Sequence, residues 1–316
     1  MDDTKIKRGI QNEDDVEDLQ RDLESLYKWA KKNNMTFNGS KFQLVRYGKN
    51  ESIKSETMYF TDGMEEVIEE FEHLKDLGVH MNSRATFDTN VTNVIRKSRQ
   101  KIGWIMRSFH CRTRSFMKQM FKTLVTPHID YNSQLYMPIE SSEIEKIEKI
   151  QRDFFRKIPS LCGLGYWDQM NTMNMLSLQR RLERYRIIYS WKVLENLVPN
   201  CGLQEIKASS ESRQGRRLLV PDVDRRAATA KQLDQTFQVH GPKLFNCLPA
   251  KIQNLTKVGL DDFKMALDKW LESVPDQPKI DGLTPGTQDL SGVYSNSIIH
   301  QTKRGQGGGL LPFSGA

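Results

Sequence analysis

The feature that most constrains the fold is a stretch from about Val91 to Ile158, in which helical periodicity and charge asymmetry fall on the same residues. Between Asp88 and Asp130 there is no Asp or Glu, while Arg96, Lys97, Arg99, Lys101, Arg107, Arg112, Arg114, Lys118 and Lys122 all lie inside. Val91, Val94, Ile95, Ser98, Ile102, Ile105, Met106 and Phe109 recur at helical spacing and set a narrow apolar stripe against a cationic face. The stripe turns to a core. The cations are left for water or for a negatively charged partner, because the sequence between Asp88 and Asp130 supplies no carboxylate beside them.

A chain of 316 residues allows about two domains, and 37% apolar with 28% charged residues describes an ordinary soluble globular protein. No apolar run approaches the length that spans a bilayer, and Met1-Asp2-Asp3-Thr4-Lys5 lacks the apolar core of a secretion signal. These features imply an intracellular, nuclear or cytoplasmic setting with no membrane partner. Cys111, Cys162, Cys201 and Cys247 are far apart and form no CxxC pair, so neither a disulfide framework nor a zinc ribbon is indicated. The net charge of +7 is split unevenly. Residues 1–90 carry 13 Lys and Arg against 19 Asp and Glu, and the remainder carries 34 against 21. Clustered cations of the second part suit sequence-independent phosphate contacts, or simply solvate a set of helices.

In chain order, Val16, Leu19, Leu23, Leu26, Tyr27 and Ala30 predict a helix with an acidic first turn and a basic end. Extended segments are expected at Phe42–Arg46, Ile53–Phe60 and Leu77–Met81. The fold class is therefore mainly α, with a small α/β part ahead of the helices. After the Val91 helix, a second helix starts at Thr113 and stops at Pro127. Ser142 and Glu145 have capping-box spacing, with Glu148 and Arg152 paired on the exposed side of the helix that follows. A helix from about Leu178 to Leu197 turns Leu182, Tyr185, Ile188 and Tyr189 inward and Arg180, Arg181, Arg184 and Arg186 outward. Cys201–Arg226 reads as a basic loop, and the Gly-, Pro- and Ser-rich composition beyond Pro275 predicts disorder.

No arrangement for nucleophilic catalysis and no Gly-rich phosphate loop is evident. Trp104, Phe109, Phe116 and Phe121 stand among the cations, where they offer base stacking or core packing, and their helical spacing favours the core. Asp2-Asp3 is a carboxylate pair of the kind that holds divalent ions, although a two-metal site needs a further carboxylate.

Taken in order, several motifs resemble a known family. Asp2-Asp3-Thr4-Lys5, then Trp29-Ala30-Lys31-Lys32-Asn33-Asn34-Met35-Thr36-Phe37-Asn38 with Lys41, then Leu74-Lys75-Asp76-Leu77-Gly78-Val79, look like the end of the palm of a non-LTR, jockey-like retrotransposon reverse transcriptase. The likeness continues through Leu124-Val125-Thr126-Pro127-His128-Ile129-Asp130-Tyr131, Ile147-Glu148-Lys149-Ile150-Gln151-Arg152, Leu176-Ser177-Leu178 and Gly241-Pro242-Lys243-Leu244-Phe245 to about Pro278. The signal lies in this collinear order rather than in one motif.

The resemblance implies an RNA-directed DNA polymerase in which Asp2 and Asp3 stand at the catalytic turn and bind Mg2+ or Mn2+. It places Lys41 near the nucleotide phosphates and makes Leu77, Gly78 and Val79 the hairpin that supports the primer end. The nine cations of the Val91 region become a thumb that grips an RNA template and RNA–DNA duplex. Residues 1–85 then form a truncated palm remnant, 86–200 the basic thumb-like region, 201–278 a C-terminal loop with short helices, and 279–316 a disordered tail. The fingers and the strand with the family's other metal-binding aspartate would precede Asp2, and Met1 stands where this subgroup has a small residue. The expectation is a C-terminal fragment, inactive alone. Two other readings stay open: a non-catalytic nucleic-acid binder derived from such an element, and a helical interaction protein.

Overall fold

The computed structural model describes residues 4–38, 41–48, 60–61, 66–138, 141–206, 215–224, 226, 230–278 and 296–307. They fall into two units, residues 1–89 and 90–316. The described residues are mainly helical, with three two-stranded antiparallel sheets.

In the first unit, α1 spans Glu13–Lys32 and is fixed at both ends by its own sequence. The Asp15 N–H donates to Asn12 Oδ1 at 3.0 Å while the Asn12 N–H donates to Asp15 Oδ2 at 3.2 Å, a reciprocal capping box. At the other end Asn34 takes a left-handed conformation, and the N–H groups of Asn34 and Met35 close back on Lys31 O and Ala30 O. Tyr27 packs on Phe37 and Phe42 at ring separations of 5.3 and 5.5 Å. The extended segment expected at Phe42–Arg46 reduces to one bridge between Leu44 and Glu70, and Ile53–Tyr59 lies outside the described residues. Phe60–Thr61 (β1) pairs with Glu66–Val67 (β2). His73–Asp76 (β3) pairs with Val79–Asn82 (β4).

Leu77 is therefore a turn residue, whereas the sequence predicts it as the start of a strand. Leu77 and Gly78 both have positive φ, 44° and 84°, the backbone of a type I′ two-residue turn. Such a turn matches the twist of the flanking strands, and a glycine at its second position makes it accessible.

The second unit takes in all but the first two residues of α2, Asp88–Ser108, whose buried face carries Val91, Val94, Ile95, Ser98 and Ile105, as the stripe predicts. Arg114–Met120 (α3) runs through one π-helical turn, Phe121–Val125, into Thr126–Asp130 (α4). Pro127 does not stop this helix. A proline lacks an N–H and its ring collides with the carbonyl four residues back, and the wider π turn relieves that collision. The Thr126 N–H and hydroxyl both return to Phe121 O, the latter at 2.9 Å.

Ser141–Phe155 (α5), Tyr166–Met173 (α6) and Leu178–Leu194 (α7) follow. The region expected to be a loop after Cys201 instead holds a ribbon of Glu205–Ile206 (β5) and Arg217–Leu218 (β6), with 207–214 outside the described residues. Arg216 clasps it by ion pairs to Glu195 and Glu205. Ala230–Gln235 (α8), Phe237–Phe245 (α9), Ala250–Gln253 (α10) and Leu260–Leu271 (α11) complete the core around α7. Trp191 lies flat on Phe263 at 4.5 Å and donates its indole N–H to Leu255 O at 2.8 Å. Gly241 allows α9 to approach α7, because a Cβ there would meet Ser190 Oγ and the Phe237 ring at 3.0 Å.

The tail departs from the expected disorder in part. Ile298–Gly307 (α12) is helical, Ile298 is fully buried, and the Ile298 N–H donates to Glu183 Oε2 at 2.9 Å. Ile298 joins the apolar core with Ile299 packed against it, and Asn296 and Ser297 are buried beside them, local features that composition averaged over the whole tail conceals. Residues 279–295 and 308–316 lie outside the described ones.

Candidate nucleic-acid interface

The nine cations of α2, α3 and the turns around them sit on a rigid base. Ile105, Met117, Phe121, Val125 and Ile129 are all fully buried beneath them, and Phe121 packs on Phe154 of α5 at 4.9 Å. Deeply buried side chains of this size each contribute about 1.5–3 kcal/mol, so the surface above them is fixed in shape.

Arg96, Lys97, Arg99, Lys101, Arg107, Arg114 and Lys122 are exposed, and Arg112 and Lys118 half-buried. Among the described residues none of the nine forms an ion pair with a carboxylate. Arg112 is engaged otherwise: its Nη2 donates to Met106 O at 2.9 Å, and its Nη1 donates to Phe109 O and Cys111 O. It caps the C-terminal end of α2, whose last carbonyls lack helical donors. Arg112 is the member of the set that the fold itself uses.

The remaining charges raise the local potential enough to affect their neighbours. Burial and then Lys122 push Lys118 below its usual value. Burial, then Lys101 and Lys97, push His128 of α4 down, which keeps its imidazole neutral near physiological pH. His128 thus joins the α2 face, a role that sequence reasoning misses because 27 residues separate it from Lys101 and no periodicity links them.

Lys97, Lys101, Trp104 and Arg107 follow one another at intervals of four, three and three, so they line a single side of α2. Trp104 meets Phe109 edge-on at 5.7 Å, and Phe109 meets Phe116 at 5.4 Å. Phe121 is core, as its spacing predicts, whereas Trp104 is 45% exposed.

The four arginines of α7, expected to point outward, do not. Arg180 and Arg186 are fully buried. Arg180 Nη2 donates to Pro275 O at 2.7 Å and Asn296 O at 3.0 Å, and Arg186 Nη1 to Gln235 O at 2.7 Å. Arg181 grips Asp130 with two bonds of 2.8 and 2.7 Å, and Arg184 pairs with Asp268. A helix packed on several sides by other elements turns most of its cations toward partners within the fold. Glu148 is likewise buried rather than paired on the surface with Arg152. It accepts from the Tyr166 hydroxyl at 3.0 Å and the Gln179 N–H at 2.7 Å.

In the first unit, Lys41 is exposed in a short turn, and its N–H donates to Asn38 O at 3.0 Å. Leu77 is 69% exposed at the hairpin tip, while Val79 is 3% exposed. Asp2 and Asp3 lie outside the described residues. Among the described residues no three His, Cys, Asp or Glu side chains come together to hold a metal ion, and no helix is long and apolar enough to cross a membrane.

What this arrangement can do chemically is bind anions on a carboxylate-free surface with aromatic rings set into it. No family model, curated protein or solved structure matches the chain.

Proposed function

We propose that the chain is the C-terminal portion of a non-LTR retrotransposon RNA-directed DNA polymerase and that α2–α4 hold an RNA–DNA template–primer duplex. The observation that carries the reading is the segment between Asp88 and Asp130, which has no carboxylate of its own and carries seven exposed cations that form no ion pair among the described residues. The collinear motifs from Asp2 to Pro278 supply the polymerase part of the reading. Duplex holding is the share of that activity for which the described residues provide groups. Lysines and arginines on one helical side reach successive phosphates without reading sequence.

Affinity for a short RNA–DNA hybrid, measured by fluorescence anisotropy across a salt series, tests this. Neutralising four to six phosphates gives a slope of log K on log salt of about −4 to −5. Absence of binding at low salt sinks the reading and leaves a helical interaction protein. The non-catalytic binder derived from such an element is separated by a second assay. Nucleotide incorporation on a primed RNA template with Mg2+ or Mn2+, lost on Asp2→Asn, assigns catalysis to this chain; salt-dependent binding without incorporation assigns it the holding role alone.

A further inference from the structure

Electrostatic grip on a phosphate backbone does not require an aromatic ring, and an indole left in water is unfavourable. Yet Trp104 is 45% exposed at the middle of the cationic side of α2, with Lys101 three residues before it and Arg107 three residues after. Its neighbours hold it without covering it. Phe109 meets the indole at 87°, and Phe109 is braced in turn by Phe116 at 67°. Among the described residues no protein ring stacks in parallel on Trp104, and no cation sits over it. The Arg107 guanidinium runs back along the helix instead, to within 3.3 Å of where a Cβ on Gly103 would stand.

A ring braced by a perpendicular neighbour, nearly half exposed and flanked by cations matches a nucleotide: the base offers a π-face and its flanking phosphates offer charge. Within a continuous duplex each base face is covered by its neighbours. Only an unpaired base or a strand end presents a free one.

We propose that Trp104 stacks on an unpaired nucleobase at the end or overhang of the bound duplex, while Lys97, Lys101 and Arg107 contact the phosphates beside it. The proposal rests on the duplex-holding reading above and deepens it by naming the form of nucleic acid preferred: a duplex with a single-stranded extension.

Three ligands of one RNA–DNA hybrid separate the possibilities: blunt, with a three-nucleotide overhang, and with an abasic overhang of the same charge. The expected result is tighter binding of the base-bearing overhang than of the abasic one by roughly 5- to 150-fold, the range for stacking one base on an aromatic side chain. Trp104→Ala should bring the two overhangs together, and Trp104→Phe should recover part of the difference. Equal affinity of the intact chain for base-bearing and abasic overhangs, with the steep salt dependence retained, overturns the stacking role and leaves the duplex reading standing. Absence of any salt-dependent binding overturns both. Because the comparison of overhangs is made on the unsubstituted chain, a folding defect in either variant does not blur the outcome.

Discussion

Two regions of the second unit are rich in cations and use them in opposite ways. On α2, Arg96, Lys97, Arg99, Lys101 and Arg107 stand in water with no carboxylate partner among the described residues. On α7, Arg180, Arg181, Arg184 and Arg186 are bound to Asp130, Asp268 and the carbonyls of Pro275, Asn296 and Gln235. The α7 arginines order distant segments around a core helix, and the α2 cations remain available to a ligand. Net charge does not separate these cases. What separates them is whether the fold brings an acceptor to the guanidinium: Arg180 and Arg186 each have one nitrogen satisfied by carbonyls, and Arg181 and Arg184 meet carboxylates.

The largest effect should come from the α7 side. Arg180→Ala removes the donor to Pro275 O and Asn296 O and leaves the fully buried Glu183, 3.9 Å away, without its cation. Breaking a buried charged network of this kind costs about 3–5 kcal/mol. Urea denaturation should show that loss. A change below about 1 kcal/mol would mean that α7 and α2 do not differ in the way described.

The pH dependence of stability comes next and also belongs to α7 and its neighbours. Burial pushes the Glu148 carboxyl up to about 8, against the opposing Gln179 N–H, with Asp276 adding to the rise. Its folded value lies above its unfolded one, so its stabilising contribution is complete below about pH 4 and is lost as pH rises through about 8. Burial, then Arg186 and Lys243, push His240 down to about 3. Its contribution is complete above about 6.5 and is lost as pH falls toward 3. The two slopes oppose each other between about pH 4.5 and 6.5. From about 6.5 to 8 the Glu148 slope is about 1.4 kcal/mol per pH unit, a loss of about 2 kcal/mol from this group. Burial shifts Glu183 in the same direction as Glu148. Denaturation at about pH 6.5 and about pH 8 should show the fall, and Glu148→Gln should flatten most of it. A flat profile in the unsubstituted chain contradicts the neutral buried carboxyl.

Asp130→Asn probes the link between the two regions, since Asp130 ends α4 and is held by Arg181 and by the Tyr185 hydroxyl at 2.9 Å. The Asp130 and Arg181 side chains are 18% and 27% exposed, so solvent screens the pair and the expected loss is about 1–2 kcal/mol. A double-mutant cycle with Arg181→Met measures the coupling, and a value near zero removes the anchor proposed for α4.

How much of this the sequence discloses depends on where partners lie. The ends of α1 and the stripe of α2 are legible because their determinants are local: Asn12 with Asp15, Asn34 with Lys31 and Met35 with Ala30, and apolar residues three and four apart. The hairpin is legible only as an extended segment, with the Leu77-Gly78 turn marked by its glycine. The orientation of Arg180 and Glu148 is not legible. Arg180 meets Asn296 across 116 residues and Glu148 meets Gln179 across 31, and periodicity reports one face of a helix, not what packs on the others. Of the candidate interface, the absence of carboxylates and the Lys97, Lys101, Trp104, Arg107 spacing are present in the sequence. The use of Arg112 as a helix cap is not, because capping depends on the turn the chain makes after Ser108.

The smallest effect on stability, and the sharpest separation of the two regions, should come from Lys97→Ala with Lys101→Ala. Both side chains are exposed, and neither forms an ion pair among the described residues, so unfolding free energy should change by no more than about 0.5 kcal/mol. A slight gain is the expected sign, because removing two positive charges relieves repulsion among neighbours that already push His128 down. The same substitution should flatten the salt dependence of duplex binding by about 1.8 in slope, about 0.9 for each phosphate that the side chains no longer neutralise. The α7 substitutions should do the reverse, lowering stability while leaving the slope of the folded fraction unchanged. If removing Lys97 and Lys101 instead destabilises the fold by more than about 1 kcal/mol and leaves the slope intact, the α2 cations serve the fold as those of α7 do, and the distinction between the two regions fails.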